Sequence, residues 1–258
     1  MHDILDADCC KIVHDDFTKV LCCVRDYCKE KQIPHYNKNR HEGILRHLLV
    51  RRSSSTKELL VALVVSSQKE YDWSELCVQL QNLPLEGKLI GFLLITNDSL
   101  GDVVKSDKTE ILFGTDSFTE EILGLHFKIS PFSFFQTNSA GAEKLYSLAR
   151  EYIGDLTGKK VYDLYSGTGT IAQVLAPVAK EVTGVEIVEE AVYAAAENAK
   201  ENQLDNCTFL AGDVLTVLDE LTEAPDAIVL DPPREGIHPK AIRKILDYGL
   251  SSFVYISC

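Results

Sequence analysis

The chain has 258 residues, 45% of them hydrophobic and 25% charged, which excludes a disordered or fibrous protein and leaves room for one large or two modest domains. Its 39 acidic against 26 basic residues give a net charge of −13, which argues against holding nucleic acid by general electrostatics, so a nucleic-acid substrate would need a local basic patch. No apolar run is long enough to span a bilayer, and the start, Met1-His2-Asp3, lacks the basic and apolar regions of a signal peptide. The expected location is therefore the cytoplasm, with no membrane partner. The eight cysteines, at 9, 10, 22, 23, 28, 77, 207 and 258, form no regular framework and read as reduced thiols. Cys9-Cys10 and Cys22-Cys23 are adjacent and lack the two-residue spacing of zinc ligation, so these residues predict no metal site of their own.

In chain order, Asp15 and Asp16 can cap a helix in which Phe17, Val20, Leu21, Val24, Tyr27 and Cys28 recur at three- and four-residue spacings along one apolar face. After the turn-prone stretch from Pro34 to Gly43, two β-rich runs, 44–50 and 59–65, flank a polar segment and predict a hairpin. A short helix is expected around 73–80, then strands at 89–95, 111–113 and 121–129, separated by segments rich in Gly, Asp and Asn. The first half thus reads as α+β. A basic stretch from His35 to Arg52 runs through it, with Arg40, Arg46 and Arg51 as candidate RNA contacts, although a solvated face would look the same.

From about Ala140 the rhythm becomes helix, strand, helix, strand. A helix over 140–152 precedes apolar strands at Val161, Val182, Thr208, Ala227 and Phe253, and such alternation predicts a parallel sheet covered on both faces. The expected fold class is α/β, a doubly wound, mostly parallel Rossmann-like sheet preceded by a smaller α+β domain. The expected domains are 1–130, central and RNA-contacting, and 131–258.

The second half holds the residues that carry chemistry. Val161-Tyr162-Asp163-Leu164-Tyr165-Ser166-Gly167-Thr168-Gly169-Thr170 is a strand running into a glycine turn and then a helix. Its glycines alone also fit a dinucleotide fingerprint or a purely structural turn. Asp163 separates these readings: a strand-end carboxylate would face a pyrophosphate with like charge, whereas the sulfonium and ammonium of S-adenosylmethionine gain from it. The next strand ends at Glu186, where an acid can accept both ribose hydroxyls of either nucleotide. Asp213 follows the third strand, where it could read an adenine amino group or cap a helix. The fourth strand ends Asp231-Pro232-Pro233-Arg234, an extended turn just beyond the carboxyl end, where doubly wound sheets place ligands. The fifth ends Ser257-Cys258 on the same rim, so Cys258 is either a nucleophile or a packed strand-end thiol.

In this order, Gly43-x-Leu45-Arg46-His47 within Tyr36 to Arg51, Phe135-Gln136-Thr137-Asn138, Asp163 to Thr170, Gly184-Val185-Glu186, Asn198 with Asn202, Asp231-Pro232-Pro233-Arg234 and Ser257-Cys258 resemble the S-adenosylmethionine-dependent RNA uracil-5-methyltransferase family. The resemblance covers nearly the whole chain. It implies that Gln136, Tyr165, Thr170, Glu186 and Asp231 contact S-adenosylmethionine, joined by Asp163, Gly167 and Asp213 from the reading above, and that Cys258 is the nucleophile. It implies an RNA substrate, ribosomal ahead of transfer RNA, and a 5-methyluridine product; a monomer is expected. Members of the family continue past the cysteine with Asn-Pro, further strands and a glutamate base. They often begin with a β-barrel and three cysteines of an iron-sulfur cluster, with a fourth near Cys10. The chain is therefore expected to be a fragment, a cluster belonging only to the full-length protein.

Three other readings compete. A nucleotide-dependent oxidoreductase would use the same glycine turn but leaves Asp231-Pro232-Pro233-Arg234 without a purpose. A cofactor-binding but catalytically incomplete fragment follows from the missing base. An adenine amino-group methylase would carry an aromatic after the two prolines, where this chain has Arg234.

Overall fold

A computed structural model describes residues 6–101, 106–250 and 253–257. The chain divides into two compact units: one runs to Glu120 and takes up Ile129–Phe132 as well, the other holds Glu121–Lys128 and the residues from Ser133 onward. Residues 121–128 thus fall with the second unit, ahead of the sequence boundary at 130.

The first unit opens with α1 (Asp15–Glu30), whose Val20, Val24, Tyr27 and Cys28 are buried at helical spacing. Its cap is His14, whose Nδ1 accepts the Asp16 N–H at 3.2 Å, and not the aspartates expected from the sequence. Asp16 is buried instead beneath the 86–87 backbone, accepting the Glu86 and Gly87 N–H groups at 2.9 Å each. Next come β1 (Leu45–Arg52), β2 (Glu58–Val65), α2 (Ser74–Gln81), β3 (Lys88–Thr96) and β4 (Lys108–Gly114). They form a sheet of order β1-β2-β3-β4 in which only the β2–β3 pair is parallel, α2 lying in the crossover between them. The expected hairpin of β1 and β2 is present. Val20, Val24 and Tyr27 of α1 and Leu76 and Leu80 of α2 share one core with Leu59, Val61, Leu63 and Phe92 of the sheet, beside Trp73.

The single strand expected over 121–129 is two, β5 (Phe118–Ile122) and β6 (Leu125–Ile129), paired with each other. Leu123 and Gly124 between them both have left-handed φ, +52° and +80°, the signature of a two-residue hairpin turn. The alternation of Leu125, Phe127 and Ile129 with His126 and Lys128 carries a strand pattern on past Gly124 and hid this break.

The second unit continues with α3 (Ser139–Ile153), β7 (Lys160–Leu164), α4 (Thr170–Leu175), β8 (Glu181–Glu186), α5 (Glu189–Glu201), β9 (Cys207–Ala211), α6 (Val214–Glu220), β10 (Ala227–Leu230), α7 (Pro239–Asp247) and β11 (Val254–Tyr255). Among the described residues the sheet order is β11-β10-β7-β8-β9, every pair parallel. Val161 to Leu164 are all buried, so both faces of the central strand are covered. Tyr162, Leu164, Val185, Ile228 and Leu230 share a core with Val214, Val217, Leu218, Ala241 and Ile245 of α6 and α7. The first strand of this parallel sheet, β7, lies centrally and the order reverses between β7 and β10, the arrangement that opens a crevice at the carboxyl ends of such strands.

Candidate active site at the carboxyl rim of the parallel sheet

Three carboxylates meet at this rim. Asp163 lies one residue before the end of β7, in register with Gly184 of β8 and Val229 of β10, while Glu186 ends β8 and Asp231 follows β10. Between β7 and α4 the backbone turns sharply: Tyr165, Gly167 and Gly169 all have left-handed φ, at +67°, +54° and +71°. A tyrosine held there is strained, a conformation that clusters at ligand sites. At Gly169 a side chain is also excluded by space, because a Cβ would stand 2.5 Å from the Phe209 ring and 2.8 Å from Ala195. At Gly167 a Cβ would meet nothing within 4 Å, so this backbone borders open space.

One N–H of the turn and one in the first turn of α4 are committed to the protein's own carboxylates. Asp163 Oδ2 accepts the Ala172 N–H at 2.9 Å, in the first turn of α4, and Glu186 Oε2 accepts the Gly167 N–H at 3.0 Å. A dinucleotide site presents such N–H groups to pyrophosphate. Here they face acids already, and the surroundings carry negative charge. Glu186 Oε1 accepts the Val188 N–H at 3.0 Å, and each of its oxygens keeps a lone pair for a further donor such as a ribose hydroxyl.

Asp163 is fully buried and its Oδ1 has no hydrogen-bond partner, nor has the buried Ser166 Oγ. Burial, with Asp231 and Glu186 nearby and against the Ala172 hydrogen bond, pushes the Asp163 carboxyl up to about 7. Burial also raises the pKa of Asp231. A cluster of acids with an orphaned carboxylate oxygen, beside an open glycine turn, fits a cationic nucleoside ligand. S-adenosylmethionine has that chemistry; an anionic dinucleotide does not.

The other sequence-predicted residues of this unit are placed as follows. Thr170 begins α4, buried, its hydroxyl 3.5 Å from that of Thr168, which itself lies 3.3 Å from the Phe134 carbonyl. Tyr165 is half-buried, with burial and the neighbouring Asp213 and Tyr255 raising its pKa. Asp213 caps α6, accepting the Leu215 N–H at 2.9 Å; it is exposed, and the cap accounts for it structurally. Gln136 is half-buried in the segment between β6 and α3. Cys258 lies outside the described residues.

In the first unit, two of the three candidate RNA contacts are engaged internally. The Arg46 guanidinium stacks over Tyr36, 4.2 Å from the ring centroid, and donates to the carbonyls of Asn97, Ser99 and Gly101 at 2.7–3.0 Å. Arg51 donates to the Ser130 and Pro131 carbonyls at 2.8 and 3.2 Å. Arg40 is exposed. Among the described residues no group of three or more His, Cys, Asp or Glu could hold a metal ion, and no helix is long and apolar enough to cross a membrane.

Sequence reasoning missed Phe209, which fills the space that the absent side chains of Gly169 and Gly184 leave beneath the turn. The spacing of two glycines against one aromatic on a neighbouring strand was its only signal.

The unit is a Rossmann-like class I methyltransferase fold, and residues 155–246 match a family described as a methyltransferase domain. The chain is 50% identical over 255 residues to an uncharacterized RNA methyltransferase of Clostridium tetani, covering 99% of this chain and 56% of that protein. An uncharacterized RNA methyltransferase of Caldanaerobacter subterraneus is 47% identical over 257 residues, covering 100% of this chain and 57% of that one. The chain thus spans little more than half the length of these relatives. Among solved structures, the Pyrococcus abyssi tRNA (uracil-54, C5)-methyltransferase in complex with S-adenosyl-L-homocysteine superposes with a TM-score of 0.82 at 27% identity, covering 99% of this chain and 61% of that one.

Proposed function

We propose that the protein to which this chain belongs methylates carbon 5 of a uridine in RNA, ribosomal ahead of transfer RNA, and that Asp163, Glu186 and Asp231 hold S-adenosylmethionine at the carboxyl rim. The observation that carries the reading is the buried Asp163 with its unpartnered Oδ1, beside a turn whose Gly167 and Ala172 N–H groups are already satisfied by acids. That arrangement favours a cation and disfavours the pyrophosphate an oxidoreductase would bring. The relatives' names support an RNA substrate, and the Pyrococcus neighbour supports uracil carbon 5.

Bound S-adenosylmethionine supplies an electrophilic methyl group on a sulfonium sulfur. Uracil carbon 5 is a poor nucleophile on its own. Addition of the Cys258 thiolate at carbon 6 pushes electrons towards O4 and makes carbon 5 enolate-like, able to take the methyl group. A base then removes the carbon 5 proton, and the returning electron pair expels the thiolate. Glu186 would orient the ribose of the cofactor, and Asp163 and Asp231 would face its positive groups. An RNA loop offers the target base unstacked at small cost.

Calorimetry should show S-adenosylhomocysteine binding that Asp163→Ala and Glu186→Ala weaken. In the full-length protein, Cys258→Ala should abolish formation of 5-methyluridine, read by mass spectrometry of ribosomal and transfer RNA, while leaving cofactor binding intact. Equal binding of NAD, or turnover retained without Cys258, overturns the proposal.

A further inference from the structure

Two asparagines four residues apart, Asn198 in α5 and Asn202 at its C-cap, have no role in the chemistry above, yet both are bonded to one neighbouring strand. Asn198 is 2% exposed and its Oδ1 accepts the Lys128 N–H at 2.9 Å. Asn202 Oδ1 accepts the His126 N–H and its Nδ2 donates to the His126 carbonyl, both at 2.8 Å. A side-chain amide offers one acceptor and paired donors, so Asn202 pairs with β6 as a strand residue would. The spacing fits as well. Four helical residues advance about 6 Å and two strand residues about 6.7 Å, so positions 198 and 202 match 128 and 126.

The second Nδ2 hydrogen of Asn202 reaches the Gln173 Oε1 at 3.0 Å, and Gln173 Nε2 lies 3.3 Å from the Ala195 carbonyl. Gln173 is fully buried in α4, the helix that starts at the glycine turn. One uncharged amide cluster thereby ties together β6, α4 and α5. The strand it holds carries Phe127, fully buried, whose ring centroid lies 5.8 Å from that of Phe135. Phe135 directly precedes Gln136, and the Phe134 carbonyl lies within hydrogen-bond reach of the Thr168 hydroxyl in the turn.

We propose that Asn198 and Asn202, acting with Gln173 through β6 and the Phe127–Phe135 contact, are positioning residues that fix the segment carrying Gln136 relative to the glycine turn. The proposal rests on the S-adenosylmethionine reading of that site. Uniform destabilisation and positioning differ in one respect. Loss of fold weakens the ligand whatever stands at 136, whereas loss of position matters only while Gln136 is there to be positioned.

The experiment is a double-mutant cycle in the full-length protein with S-adenosylhomocysteine as probe. Asn202→Ala should weaken binding about tenfold when Gln136 is present and leave it within about twofold in the Gln136→Ala background. Equal loss in both backgrounds, no loss in either, or unchanged binding by Gln136→Ala alone overturns the proposal. If Asn202→Ala does not fold, Asn198→Ala, which removes a single acceptor, takes its place in the same cycle with the same outcomes. Glu186→Ala separates the two readings. If it binds like the parent, the cofactor site itself is misassigned; if it binds weakly while the cycle is additive, only the positioning fails.

Discussion

If Asp163 faces the positive groups of S-adenosylmethionine as proposed, cofactor affinity should depend on pH. Burial, with Asp231 and Glu186 nearby, pushes its carboxyl up to about 7 from the ordinary 3.8. The sign follows from that upward shift: its contribution to stability is fully present below about pH 3.8 and is lost as pH rises through about 7. A cationic ligand reverses the balance, since it favours the ionised form that the free protein disfavours. With Asp163 ionised in the complex, affinity scales with the ionised fraction in the free protein, about 0.9 at pH 8 and about 0.09 at pH 6, a loss of about tenfold. Calorimetry of S-adenosylmethionine binding at the two pH values, in buffers of different ionisation enthalpy, should also show release of about 0.9 proton at pH 6. Asp163→Asn should bind more weakly at pH 8 and lose this component of the slope, while its thermal stability above pH 7 should rise relative to the parent. A parent and an Asp163→Asn variant with the same pH dependence would refute the placement of the ligand's positive groups at Asp163.

Gly169→Ala combines a left-handed φ with a Cβ 2.5 Å from the Phe209 ring and should cost about 3 kcal/mol in urea unfolding, whereas Gly167→Ala, with open space around it, should cost about 1 kcal/mol. Similar losses at both positions would show that Phe209 can move aside. In the first unit, Glu120 is buried and accepts from the N–H groups of Ser54 and Ser55 and the hydroxyls of Ser53 and Ser55 at 2.6–3.0 Å. Glu120→Ala strands these donors and should lower stability by about 3 kcal/mol, with hydrogen exchange rising first at 53–56; exchange unchanged there would count against the clamp.

The alternating helices and parallel strands were legible because period and glycine punctuation are local properties. The rim positions of Asp163, Glu186 and Asp231 were legible for a related reason, since each lies within a residue of the end of a strand, and in a doubly wound sheet those ends converge. What stayed hidden depends on side chains meeting across distance. The turn at Leu123-Gly124 carries no charge or proline, and the alternating strand pattern continues past it to Ile129. Arg46 and Arg51 read as a basic patch because a sequence does not show which carbonyls stand near a guanidinium. His14 displaced the expected aspartate caps because Asp16 is drawn to the 86–87 backbone seventy residues away. Asn198 and Asn202 were named only within the family resemblance, and nothing in the sequence marked β6 as their partner.

The β5–β6 hairpin also bears on how the chain may be divided. Because residues 121–128 belong to the second unit and 129–132 to the first, the polypeptide passes between units three times, and no single cut yields both whole. Cleavage at the sequence boundary near 130 would strip the methyltransferase fold of the strand that Asn198 and Asn202 hold, leaving those amides with an open edge where His126 and Lys128 had been. An isolated catalytic half should therefore begin before Glu121, keeping the hairpin in place of a flush end at Ser133.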